Sequence, residues 1–271
     1  MFHRTPRADA ARARWLRDPR RVEVLRFVES HRTRVPYRIG AEELEGVCRS
    51  TDHALGAVRR VDAEAVVSIV DWEPNYAVAH VLHYALERHG APFTWQWFRR
   101  FCRDDREARR MLYEPAQEMV RRAVSESSSG LTPAGARAAM RWRVGNFYYS
   151  FLRELYLVVR LREHGLDVRM HPLADALYRV DAWWGDVAFA IYIRNGRFRD
   201  GVEGRKPTTD SITGWAVCPI RLPVPSRFGV VNLPAVEDID RIARALRSGE
   251  LPRGSVPRQR GSVGDRDGAV Q

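Results

Sequence analysis

Three side chains in the C-terminal half, Glu154, Asp181 and Lys206, are of the types that together carry out phosphoryl chemistry. Two converging carboxylates can hold Mg²⁺, which takes hard oxygen ligands and leaves its other positions to water and substrate phosphate. An ammonium beside them can orient the attacking water. Lys206 is the single lysine among 45 basic residues, and a compact ammonium of tunable pKa is not interchangeable with a guanidinium. Each residue also has a plainer reading. Glu154 can pair with Arg153 or Arg160, Asp181 can simply terminate a strand, and Lys206 can sit in a solvent loop. In that loop the glycines of Asn195 to Lys206 let the chain fold back, so that Asn195, Asp200 or Glu203 could add an oxygen ligand. Arg194, Asn195, Arg197, Arg205 and Lys206 would equally form a phosphate clamp without catalysis.

The elements that must position these groups start with a long helix. Thr132 is its expected N-cap and Pro133 its first residue; it runs to about His164 and is closed by Gly165. Phe147, Phe151, Leu155, Val158 and Val159 form its apolar stripe, with Glu154 at the margin. Beyond Gly165 the period becomes alternating, and Leu166 to Met170, Leu177 to Trp184, Val187 to Arg194, Trp215 to Leu222 and Phe228 to Leu233 read as strands. Trp184-Gly185-Asp186 is a hairpin turn that brings Asp181 beside the next strand, and Trp183 and Trp184 should face opposite ways. A last helix is expected from Ala235 to Leu246.

This order of helix acid, hairpin acid, third strand, crossover, further strand and helix resembles the PD-(D/E)XK nuclease superfamily over roughly Leu131 to Leu246. The resemblance implies a restriction-endonuclease-like mixed sheet flanked by helices, with Asp181 and Glu154 as Mg²⁺ ligands and Lys206 as a displaced catalytic ammonium. In that family the third strand ends in a Glu-x-Lys pair. Here the matching run is Ile191-Tyr192-Ile193-Arg194, so Tyr192 stands for the acid and Arg194 for the lysine. Tyrosine is a poor magnesium ligand and arginine cannot act as a base.

Residues 1–130 read as a helical domain, with Ser125 to Gly130 as the boundary before the α/β part at 131–250. Within it, 41–60 has the look of a helix-turn-helix, capped by Ser50 or Thr51 and presenting His53, Arg59 and Arg60 to a major groove. His80 and His83 read as core or surface histidines, and the aromatic run Phe93 to Phe101 as core. Residues 251–271, rich in Gly, Pro, Ser and Arg, read as a disordered basic tail.

A formal charge of +11 and a pI near 10.2 favour phosphate-bearing partners. Three widely spaced cysteines indicate neither a disulfide framework nor a zinc site. With no long apolar run, the expectation is a soluble, cytoplasmic protein without a membrane partner. The fold class is α+β or α/β. Two functions stand side by side: a Mg²⁺-dependent phosphodiesterase of DNA processing, defence or a mobile element, or a catalytically silent nuclease-like subunit that binds nucleic acid, DNA rather than RNA, or other subunits of a complex.

Overall fold

The structure is a computed structural model that describes residues 6–127, 130–194, 216–224 and 226–250. Helices α1 (Pro6–Arg17) and α2 (Pro19–Ser30) are followed by a 3₁₀ turn at Val35–Tyr37 and by α3 (Ala41–Ser50). Short α4 (Arg60–Glu64) and α5 (Val67–Val70) precede α6 (Val78–His89) and α7 (Trp95–Asp104). Helix α8 (Arg106–Ala108) passes through a π turn at Arg109–Tyr113 into α9 (Glu114–Ser125), and α10 (Pro133–Glu163) and α11 (Pro172–Tyr178) come next. Strands β1 (Ala182–Trp184), β2 (Val187–Arg194) and β3 (Ala216–Pro223), the pair β4 (Ser226–Phe228) and β5 (Val231–Leu233), and α12 (Val236–Ser248) complete a mixed α+β fold.

Helix α10 begins and ends as its sequence predicts. The Thr132 hydroxyl accepts from the Gly135 N–H, Pro133 follows it, and Gly165 adopts φ +80° after the last turn. Its burial is wider than one stripe: Tyr148, Leu152, Leu155, Tyr156, Leu157 and Leu161 are all at 1% exposure or less, whereas Phe147 is 40% exposed. A helix apolar on nearly every side is a central helix. Helices α3, α4, α5, α6 and α9 pack on it from the N-terminal half, and α12, β2 and β5 from the other. One apolar core accordingly runs from Val24 to Leu246.

In the sheet, of order β1-β2-β3, β1 runs antiparallel to β2 and β3 parallel to it, in register from Val187↔Ala216 to Arg194↔Pro223. The crossover that a parallel pair requires falls in 195–215, outside the described residues. Successive β2 side chains enter different cores: Phe189 joins the α10 core, while Ala188 and Ala190 join a smaller one with Leu25, Val28, Leu177 and Val217. Both faces are covered, which explains the unbroken apolar run Val187-Ala188-Phe189-Ala190-Ile191. Trp183 and Trp184 likewise pack on opposite cores.

Three expected strands are corrected among the described residues. Leu166 to Met170 contributes one bridge, Arg169↔Trp183. Leu177 and Tyr178 belong to α11, which starts at Pro172 behind a His171 cap and stops at Arg179 in the left-handed region, φ 57°. Phe228 to Leu233 is a hairpin of its own with Ser226, separate from the sheet.

The helix-turn-helix expected at 41–60 is corrected too. Ser50 ends α3, residues 54–57 form turns, and the next helix starts at Arg60. Thr51 is buried, donating to the Tyr148 hydroxyl (3.2 Å) and accepting from the Trp95 N–H (2.8 Å). His53 meets the Tyr149 hydroxyl at 3.1 Å. The polar residues that suggested a groove-reading helix instead fasten this loop to α10. No described helix is long and apolar enough to cross a membrane.

Candidate nucleic-acid interface

Asp181 lies just before β1 and serves the backbone. Its N–H donates to the Phe189 carbonyl (3.2 Å), and its Oδ2 accepts from the Ile191 N–H (2.7 Å). The carboxylate thereby supplies a rung of the β1–β2 ladder ahead of the strand's first residue. Replacing Asp181 with Ala leaves that N–H without its acceptor. Urea denaturation should show a loss of about 1–3 kcal/mol, most of it recovered in Asp181→Asn; an unchanged midpoint in Asp181→Ala would assign the carboxylate some other purpose.

Glu154 is half-buried on α10, where its charge acts on Arg153, whose Nε donates to the Asn232 carbonyl at 2.9 Å. Tyr192, at the position the nuclease pattern gives to an acid, is 44% exposed and pairs in register with Arg221, whose guanidinium lies 5.1 Å over its ring. A cation thus stands where the third-strand carboxylate would draw a metal. Among the described residues no three His, Cys, Asp or Glu gather as ligands. Asn195, Arg197, Arg205 and Lys206 lie outside the described residues, as does the Arg194 side chain. Arg59 and Arg60 are exposed but bound to acids of their own helix, Asp62 at 2.7 Å and Glu64 at 2.7 Å, so much of their charge is neutralised locally.

A different set of cations is less fully paired. Helix α7, the π turn with α9, and the first turns of α10 enclose a groove of about 700 Å³. Arg99, Arg100, Arg103, Arg137 and Arg141 line it, and no carboxylate does. Arg103 pairs with Asp104 outside the groove, and Arg141 donates to the carbonyls of His53 and Ala54. Arg99, Arg100 and Arg137 are exposed and make no ion pair among the described residues. Below them the floor is apolar and buried, formed by Trp95, Phe98, Leu112, Met140 and Val144. Tyr113 completes the wall from the π turn, an interruption of helix geometry often found at functional sites.

No family model, curated protein or solved structure matches this chain. Its chemistry is therefore read from its own surface. The other large grooves differ in charge: the one of about 1030 Å³ beside α4 and α5 carries Arg59 against Asp62 and Glu126. A cleft of about 730 Å³ gathers Glu23, Asp71, Glu73, Glu118 and Glu126 against Arg110 and Arg122. Of these three grooves, only the one between α7, α9 and α10 is lined by arginines without a carboxylate. Sequence spacing could not reveal the groove, because its arginines come from segments some forty positions apart in a chain where arginine is everywhere.

The described chain also holds a set of packed histidines, His80 and His83 buried and His31 and His171 half-buried. Rings of His31 and His83 lie 6.0 Å apart and those of His31 and His171 5.5 Å apart, with His83 against Phe151 at 5.2 Å. Desolvation holds His80 and His83 below the ordinary value of 6.5, and pushes His31 down to about 4. His171 caps α11: its Nδ1 accepts from the Leu173 N–H, so Nε2 carries the proton and donates to the His31 carbonyl at 3.0 Å. Cys48, Cys102 and Cys218 are buried and free.

Proposed function

We propose that this protein binds nucleic acid, DNA before RNA, on the groove between α7, α9 and α10. One observation carries the reading: five arginines and no carboxylate line an open groove, three of them without an ion pair among the described residues. Guanidinium groups present donors in a fixed fork that suits phosphate oxygens, and each neutralised phosphate releases counterions. The excess charge of +11 adds long-range attraction. The succession of α10, β1, antiparallel β2 and parallel β3 supports a restriction-endonuclease-like descent for the C-terminal half, used here as scaffold and not for hydrolysis.

Fluorescence anisotropy with a labelled oligonucleotide tests this. Affinity should fall steeply between about 50 and about 200 mM salt. Arg99→Glu with Arg137→Glu should weaken binding at least ~30-fold, roughly 2 kcal/mol, and flatten the salt dependence. Arg59→Glu, already balanced by Asp62, should change affinity less than ~3-fold. A double variant that binds like the wild type, or no binding to any nucleic acid at low salt, defeats the proposal.

A further inference from the structure

We infer that the groove takes a single strand, with its phosphates on the rim arginines and one unpaired base turned inward against Tyr113 and the apolar floor. This rests on the nucleic-acid reading and specifies its substrate class. Rim and floor make opposite demands: Arg99, Arg100 and Arg137 are exposed, whereas Trp95 and Phe98 are 3% and 1% exposed. A duplex keeps its base faces stacked inside and shows only their edges, so it can satisfy the arginines but not an apolar floor. A single strand offers both phosphates and free base faces, and stacking on an aromatic ring is the usual second component of such sites. Tyr113 is half-buried in the wall, with the Arg109 guanidinium 5.9 Å over its ring, and it is the least buried aromatic residue lining the groove. The volume of about 700 Å³ is that of a pocket for a nucleotide-sized group.

A second observation concerns hydrogen bonding. Trp95 lines the groove, and its indole N–H is buried with no acceptor in the structure. Buried indole donors ordinarily find a partner. The N–H has no accessible surface of its own, so a base on the floor would supply the acceptor only with a turn of the indole ring toward the groove.

The experiment compares a labelled thymidine 20-mer, longer than the about 4–16 nucleotides that one single-strand-binding fold covers, with a duplex of equal length, in anisotropy and in quenching of tryptophan emission. The single strand should bind about tenfold tighter or more, with quenching, and Tyr113→Ala should remove most of that advantage while leaving duplex affinity within ~2-fold. Tyr113→Phe should bind as the wild type does, and circular dichroism of both variants checks folding. If the duplex binds as tightly as the single strand and Tyr113→Ala changes neither, the inference falls while the Arg99/Arg137 losses still uphold nucleic-acid binding. If the single-strand preference persists in both Tyr113→Ala and the arginine variant, the groove is the wrong site. Absence of binding to either probe removes both readings together.

Discussion

Titrated from neutrality to about pH 4, the protein should unfold, losing stability from pH 6.5 downward. The packed histidines set that window. His31 falls from 6.5 to about 4 on folding, and His80, His83 and His171 are lowered in the same direction, each by desolvation first. The unfolded chain therefore takes up these protons before the folded one. Stability is complete above 6.5 and drains as pH falls toward the folded values. His31 alone accounts for roughly 3 kcal/mol, against a total of about 5–15 kcal/mol for a typical domain. The groups facing the cluster do little to relieve it: Glu87 favours a charged His171 and Asp175 a charged His80, while Arg21 opposes the latter. Protonation of His171 at Nδ1 would also remove the acceptor that caps α11. Carboxylates held low by arginine, such as Asp167, titrate below 3.8 and do not enter this window. Urea midpoints measured from about pH 7 to about pH 4.5 should drop steeply in the wild type and less in His83→Leu. A flat profile above about pH 5 would show that the histidines are hydrated in solution.

Gly145→Val should be the most damaging single substitution on α10. A Cβ at this position would stand 2.9 Å from the Ala54 backbone carbon, 2.9 Å from Leu55 Cδ2 and 3.0 Å from the Ala54 oxygen. The loop cannot retreat freely. Ala54 donates to the Tyr149 hydroxyl at 2.9 Å, and its carbonyl accepts from Arg141 Nε at 3.0 Å. Overpacking against fixed backbone costs about 3 kcal/mol, and a branched side chain in mid-helix recovers little of the glycine's propensity deficit. Thermal unfolding of Gly145→Ala, with one methyl and about 1 kcal/mol of propensity in its favour, should fall between wild type and valine. A valine variant as stable as the wild type would mean that α10 and this loop do not touch.

Helix α10 was legible because its signals are local: Thr132-Pro133 at one end and Gly165 at the other fix its limits whatever packs around it. The same locality misled at 41–60, where Ser50, Thr51 and His53 are typical capping and surface residues. Their partners, Tyr148, Tyr149 and Trp95, lie far along the chain, and only those partners turn a polar loop into core. At Leu177-Tyr178 the alternation of apolar residues suggested a strand, but Pro172 and the His171 cap had already committed the segment to a helix. Asp181 drew attention as an acid beside a hairpin, whereas what it does for Ile191 depends on a backbone N–H that no side-chain pattern encodes. The arginine groove and the histidine cluster were illegible for the same reason as the loop contacts. Arg99 and Arg137, or His31, His83 and His171, become neighbours through helix packing, while in the chain they are scattered among similar residues.

The shared position of α10 bears on how the chain is made. Helices α1 to α9 leave the ribosome before α10, yet α3, α4, α5, α6 and α9 all pack on Pro133–Glu163. Until then Val81, Leu82 and Leu86 of α6, all fully buried once packed, are without their principal partner. Synthesis runs at about 5–20 residues per second, so the nascent chain passes through seconds of exposed apolar surface. Chaperone capture in that interval, more than the equilibrium stability of the finished fold, would then govern the yield of intact protein.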